Sequence, residues 1–148
     1  MTFIEIFIQR VMEWTHLGVP YRHRGLKRNG CDCTGLIIGV LQEMGYLKDY
    51  KLREYTPDWN LHSKAGNYIV EELEKVCTRV TDPIRPGDIL VFRFGRCIAH
   101  AGVMLDTCKM LFAHQHKNSG RCVFDIMRNS KWSAHFAGAY RLDETKIH

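Results

Sequence analysis

Apolar residues recur at helical spacing over residues 3 to 16, where Phe3, Phe7, Val11 and Trp14 share one face and Thr2 is placed to act as N-cap. Gly18 and Pro20 end that helix, and residues 19 to 30, with Gly25, Gly30 and several basic side chains, read as a loop. A second stripe follows, in which Leu36, Ile37, Val40, Leu41 and Met44 fall on the helical face of Cys33 and Gly45 supplies the stop. Over residues 46 to 60 the pattern is irregular and Pro57 breaks any period, so this stretch is expected to be a loop that rims or gates a cleft. A third helix is predicted over 63 to 76, carrying Tyr68, Ile69, Leu73 and Val76, with Ser63 as its cap. Beyond Thr81 the texture changes to short β-like runs at 88 to 94, 99 to 106, 110 to 115, 121 to 127 and 136 to 142. Pro86-Gly87-Asp88 turns into the first run, and Asn118-Ser119-Gly120 joins the third to the fourth. Helices first and a meander after predict an α+β fold, with N-terminal helices packed on a C-terminal antiparallel sheet of about five strands.

At 148 residues and 45% apolar content, the chain is sized for a single domain spanning 1–148 that buries its core without covalent staples. Its six cysteines read as reduced thiols of a cytosolic product rather than as a disulfide framework. The first ten residues lack a basic n-region and carry Glu5 inside the apolar run, unlike a secretory signal, so synthesis in the cytoplasm is expected. No apolar run approaches the roughly 18 to 20 residues of a membrane-spanning helix. A formal charge of +5 is concentrated partly at Arg22, Arg24, Lys27 and Arg28. That cluster admits polyanions in general, but no recognition motif interleaves aromatics with it, and specific nucleic-acid binding is not expected.

The chemistry concentrates at Cys31-Asp32-Cys33-Thr34-Gly35, where Cys33 opens the second helix. Partial positive charge at a helix N-terminus lowers a thiol's pKa and binds oxyanions, so Cys33 is the candidate nucleophile and Cys31 the weaker one. A cysteine nucleophile needs a base, and the chain holds eight histidines. His100 is expected at the start of a strand; His114 and His116 lie on the next one, two residues apart and on one face. Pairing of these strands brings His100 and His114 together near Cys33. His100 would then take the thiol proton and His114 would hold its ring, with His116 as a rival for that role. Oxyanion donors would be the Cys33 backbone N–H and the Tyr21 hydroxyl. Cys31-x-Cys33 and His114-x-His116 hold potential zinc ligands, but one intervening residue suits shared tetrahedral ligation poorly, so neither metal nor cofactor is expected. The remaining cysteines, 77, 97, 108 and 122, read as small apolar fillers, and Trp59 and Trp132 as core or rim aromatics.

Gly18-Val19-Pro20-Tyr21-Arg22, the Gly30 to Leu36 element, Arg85-Pro86-Gly87-Asp88-Ile89-Leu90 and His100-Ala101-Gly102-Val103, in that order, resemble the NlpC family of papain-like cell-wall cysteine peptidases. The "PYR" and "CDC" elements look closest to its phage and prophage branch. The resemblance implies a papain-like fold and an endopeptidase that cuts peptidoglycan stem peptides between D-glutamate and a diamino acid such as meso-diaminopimelate. By the same resemblance Cys33 corresponds to the nucleophile, His100 to the base and His114 to the third polar residue. Asp32 corresponds to a residue that helps bind the substrate amine, and Tyr21 to a tyrosine near the oxyanion. Thr34 stands where serine is commoner. Delivery to the wall, and partners among phage tail or particle proteins, are further expectations of that branch. Two alternatives stay open: another amidase or thioesterase reaction on this scaffold, and a non-catalytic assembly or wall-binding protein.

Overall fold

The computed structural model describes residues 1–51, 68–128 and 130–147. Helix α1 (Phe3–Leu17) begins with a reciprocal capping box: Glu5 N–H donates to the Thr2 hydroxyl and Thr2 N–H to the Glu5 carboxylate. It ends at Gly18 in the left-handed conformation, the stop expected there. A small hairpin of β1 (Leu26–Lys27) and β2 (Gly30–Cys31) then delivers the chain to α2 (Cys33–Glu43). Within the described residues the third helix, α3, is Tyr68–Glu74, ending two residues before the expected 76, while the expected start at 63 lies outside the described residues. Ser63, Trp59, His62 and most of the 46 to 60 stretch lie outside the described residues.

The remaining strands are β3 (Cys77–Arg79), β4 (Ile89–Phe94), β5 (Cys97–Asp106), β6 (Leu111–His116), β7 (Arg121–Ile126) and β8 (Phe136–Leu142), with helix α4 (Lys131–His135) before the last. They form an antiparallel sheet in the order β3-β8-β4-β5-β6-β7. The five runs read from the sequence are β4 to β8, and the sheet gains a sixth strand in β3, which pairs along β8 through Cys77 and Leu142. Three residues are too few to display a period, so propensity alone could not reveal β3.

Helices α1 and α2 cover one sheet face, where Phe7, Val11, Leu36, Ile37 and Val40 share a core with Ile89, Val91, Ala101, Val103 and Ala113. On the other face Leu90, Phe92, Met104 and Phe112 pack with Trp132 of α4. Alternation along each strand sorts side chains between these two cores. Close backbone approach fixes α2 against the hairpin: a Cβ on Gly35 would lie 1.9 Å from the Gly25 carbonyl oxygen.

Candidate active site

Asp32 is the N-cap of α2, and its Oδ1 accepts the Gly35 N–H at 2.8 Å while Oδ2 accepts the Arg24 N–H at 3.0 Å. One buried carboxylate therefore ties the incoming loop to the first turn of the helix and sets Cys33 at its mouth. The Cys33 thiol is half-buried, and the backbone N–H groups of Ala101 and Thr34 act on it to favour its ionised form. Those donors do not prevail. Burial first, and the neighbouring Asp32 carboxylate second, push the thiol up to about 12. This corrects the expectation of a helix-activated thiolate: loss of hydration and a like charge next door outweigh the partial charge of the helix end.

Tyr21 lies in the same field. Its backbone is held on two sides, by its own N–H to the Gly120 carbonyl at 2.8 Å and by a bridge to Cys31. Burial, with Asp32 and Cys33 adding to it, raises the Tyr21 hydroxyl to about 12, so it keeps its proton and remains a donor.

His100 sits within β5 rather than at its start, because the strand begins three residues earlier at Cys97. Pairing with β4 slips between Phe92 opposite His100 and Arg93 opposite Ile98, leaving Ala99 as the extra residue. A bulge there re-aims the side chain that follows. His100 rises from the face of Phe92 and Trp132, while the next residue, Ala101, faces the helices and its backbone N–H is one of the groups that favour the ionised Cys33 thiol. The imidazole and the backbone amide that acts on the thiol therefore belong to neighbouring residues of one strand.

The two histidines singled out in the sequence are hydrogen-bonded, His100 Nε2 to His114 Nδ1 at 2.7 Å. Gly102 makes room for this, since a Cβ there would lie 3.2 Å from the His114 Cβ and 2.9 Å from the Phe112 ring. His116 turns to the β6–β7 turn instead, its Nδ1 lying 2.9 Å from the Ser119 hydroxyl, so the bond to His100 belongs to His114. Both bonded rings are neutral. Burial, followed by the repulsion that protonated His114 and His116 would exert, lowers His100 well below the usual histidine value, and burial with His116 and Lys131 lowers His114 to about 3.

Two residues of this cluster carried no signal of their own in the sequence. Asp125 of β7 lies 3.3 Å from His114 Nε2 through its Oδ2, and the same oxygen accepts the Trp132 indole N–H at 2.8 Å. Trp132 stacks on His100 at 5.3 Å between centroids and stands edge-on to His114 at 4.8 Å. The Asn118-Ser119-Gly120 turn could have exposed Asp125, because it sets His114 opposite Val123 and so puts Asp125 on the same face. Trp132 rides on a five-residue helix whose position no local pattern foretells.

Cys31 points elsewhere: its sulfur is buried 3.8 Å from that of Cys122, and Gln115 Nε2 donates toward both. Cys108, expected as an apolar filler, is exposed in the turn between β5 and β6. Among the described residues no group of three His, Cys, Asp or Glu side chains has the arrangement to hold a metal ion. No helix of the described residues is long and apolar enough to cross a membrane. The loop ahead of α2 forms an open groove of about 380 Å³ lined by residues that include Arg22, Arg24, Lys27 and Asn29.

Comparison with known proteins agrees with this construction. Residues 18–141 match the model of the NlpC/P60 family. Murein DD-endopeptidase MepS/Murein LD-carboxypeptidase of Escherichia coli (strain K12) is 25% identical over 125 residues, covering 84% of this chain but 56% of that protein. The chain thus spans little more than half the length of this curated relative. Among solved structures, a Bacillus cereus NlpC/P60 family protein superposes with a TM-score of 0.65 at 16% identity, over 95% of this chain and 40% of that one. The NlpC/p60 domain of the peptidoglycan hydrolase SagA gives 0.58 at 16% identity, over 95% of this chain and all (100%) of that one. The architecture is the papain-like α+β fold of these domains, and with its family match running from Gly18 to Arg141 this chain belongs to the NlpC/P60 family.

Proposed function

We propose that the protein is a cysteine endopeptidase acting on peptidoglycan stem peptides at the bond between D-glutamate and a diamino acid such as meso-diaminopimelate. The observation that carries this reading is the His100–His114 hydrogen bond at 2.7 Å, on the strand whose next residue, Ala101, acts through its backbone N–H on the Cys33 thiol. In this reading His100 starts as a neutral imidazole and Cys33 as a neutral thiol. His100 takes its proton as the sulfur bonds to the scissile carbonyl carbon. The Cys33 backbone N–H and the Tyr21 O–H receive the oxyanion. Collapse breaks the C–N bond, and His100 returns the proton to the leaving amine. Water then attacks the thioester, giving a proton to His100, which hands it back to the departing sulfur.

His114 orients His100 throughout, and Asp32 both caps the helix and faces the substrate amine. The basic groove at Arg22, Arg24 and Lys27 suits a substrate rich in carboxylates. The Pro20-Tyr21-Arg22 and Cys31-Asp32-Cys33 elements favour a phage-type enzyme delivered to the wall with tail or particle proteins.

A second bond is favoured by one observation, that the Escherichia coli relative is called a DD-endopeptidase and LD-carboxypeptidase. Mass spectrometry of peptidoglycan digested by wild type and by Cys33→Ala separates these readings. New termini at D-glutamate and the diamino acid support the first bond, and opened cross-links support the second. An active Cys33→Ala protein ends both.

A further inference from the structure

We propose that Asp125 is a positioning residue that fixes the proton arrangement of both imidazoles through the chain Asp125–His114–His100, leaving Nδ1 of His100 bare to accept the Cys33 proton. The inference rests on the cysteine-peptidase reading and deepens it.

A neutral imidazole carries one N–H and one lone pair, and both rings here are neutral. The His100–His114 bond can therefore run in two senses. In one, His100 Nε2–H donates to His114 Nδ1, so the His114 proton is on Nε2 and the His100 lone pair is on Nδ1. In the other, His114 Nδ1–H donates to His100 Nε2, His114 Nε2 is a lone pair, and His100 Nδ1 is already protonated. Only the first arrangement leaves His100 with an atom free to take a thiol proton.

Geometry selects it. His114 Nε2 faces Asp125 Oδ2 at 3.3 Å, and a carboxylate offers lone pairs alone. A proton on Nε2 makes a hydrogen bond there; a lone pair on Nε2 would meet another lone pair. The carboxylate is itself held from two sides, with Oδ2 accepting the Trp132 indole N–H at 2.8 Å and Oδ1 accepting the Ile126 N–H at 3.0 Å. Trp132 also stacks on His100 and abuts His114 edge-on, so the side chain that pins the carboxylate fixes both rings. Asp125 is 37% exposed, which screens its charge and makes its main contribution directional. A partner that sets a histidine's tautomer acts by this logic in hydrolase triads and in metal sites.

The test is two-bond proton–nitrogen NMR on histidine-labelled protein, with steady-state cleavage of purified muropeptides alongside. In wild type, His100 and His114 are expected as Nε2–H tautomers. In Asp125→Ala, His114 should lose its single tautomer and kcat should fall roughly ten- to a hundredfold with KM changed less than about twofold. Asp125→Glu should recover part of the rate. A wild-type spectrum with His114 protonated at Nδ1 overturns the proposal even if no Asp125 variant folds, as does an Asp125→Ala protein with undiminished kcat. An active Cys33→Ala protein would instead remove the peptidase reading and leave the tautomers as they are.

Discussion

Asp88 and Arg141 meet at two points, Nε to Oδ1 and Nη2 to Oδ2, each at 2.9 Å, with Asp88 almost wholly buried. The Arg85 N–H also donates to Asp88 Oδ2 at 2.8 Å, and the Arg141 guanidinium reaches Asp82 as well. This clamp ties the turn ahead of β4 to β8 and explains physically why an aspartate closes the Arg85-Pro86-Gly87-Asp88 element. Arg141→Ala leaves a buried carboxylate with a single backbone donor and should cost about 3 kcal/mol. The urea midpoint should drop with an unchanged m-value; a shift of under about 0.5 kcal/mol contradicts the clamp's role.

Stability should fall with acid beginning near pH 6.5. His114 is held neutral with its folded pKa lowered to about 3, against an ordinary value of 6.5. Between these values the unfolded chain binds the proton and the folded one does not, so the stabilisation is complete above pH 6.5 and is lost as pH falls toward 3. Each such histidine contributes a slope of about 1.4 kcal/mol per pH unit, and His100, lowered in the same direction, adds to it. His114→Asn should flatten the profile between pH 6 and pH 4, measured by urea unfolding at a series of pH values. A wild type equally stable at pH 7 and pH 5 would contradict neutral burial of these rings.

Much of this architecture is legible because its elements are long enough to repeat. The α1 stripe, its Thr2 cap and the Gly18 stop, and the β4 to β8 runs each span enough residues for period and punctuation to agree. What escapes is short or nonlocal. Strand β3, the β1–β2 hairpin and α4 have two to five residues apiece and owe their conformation to partners distant in sequence. Cys33, His100 and His114 stand out as residue types, whereas Asp125 gains its meaning only from the register of β6 on β7. The direction of the Cys33 shift was illegible for a related reason: burial of the thiol depends on packing that the helix-end argument does not contain.

Gly35 is a packing requirement, and its replacement should disturb the site more than its distance from the chemistry suggests. A Cβ there would collide with the Gly25 carbonyl oxygen at 1.9 Å and approach Asp32 Oδ1 at 2.9 Å. Backbone must move, and the loop that moves carries Tyr21 and the Arg24 N–H bonded to Asp32. Gly35→Ala should destabilise by about 1–3 kcal/mol and lower kcat at temperatures where the protein is still folded. Wild-type stability together with wild-type turnover would show that the hairpin does not rest on α2 as described.

Cys33 should alkylate slowly at neutral pH even though the proposed chemistry requires a nucleophile. Burial and the Asp32 carboxylate raise the thiol to about 12, so the resting sulfur holds its proton, and in the proposed mechanism His100 takes it only as substrate is attacked. With iodoacetamide at pH 7, peptide mapping should find Cys33 modified at least about tenfold more slowly than exposed Cys108, which serves as an internal reference in the same chain. The Cys33 rate should keep climbing above pH 9, beyond the ~8.5 of an ordinary thiol, instead of levelling off. A plateau below pH 7 would mean that a thiolate–imidazolium pair already exists at rest. In that case His100 would be charged, and the neutral two-ring relay that gives Asp125 its part would have no basis.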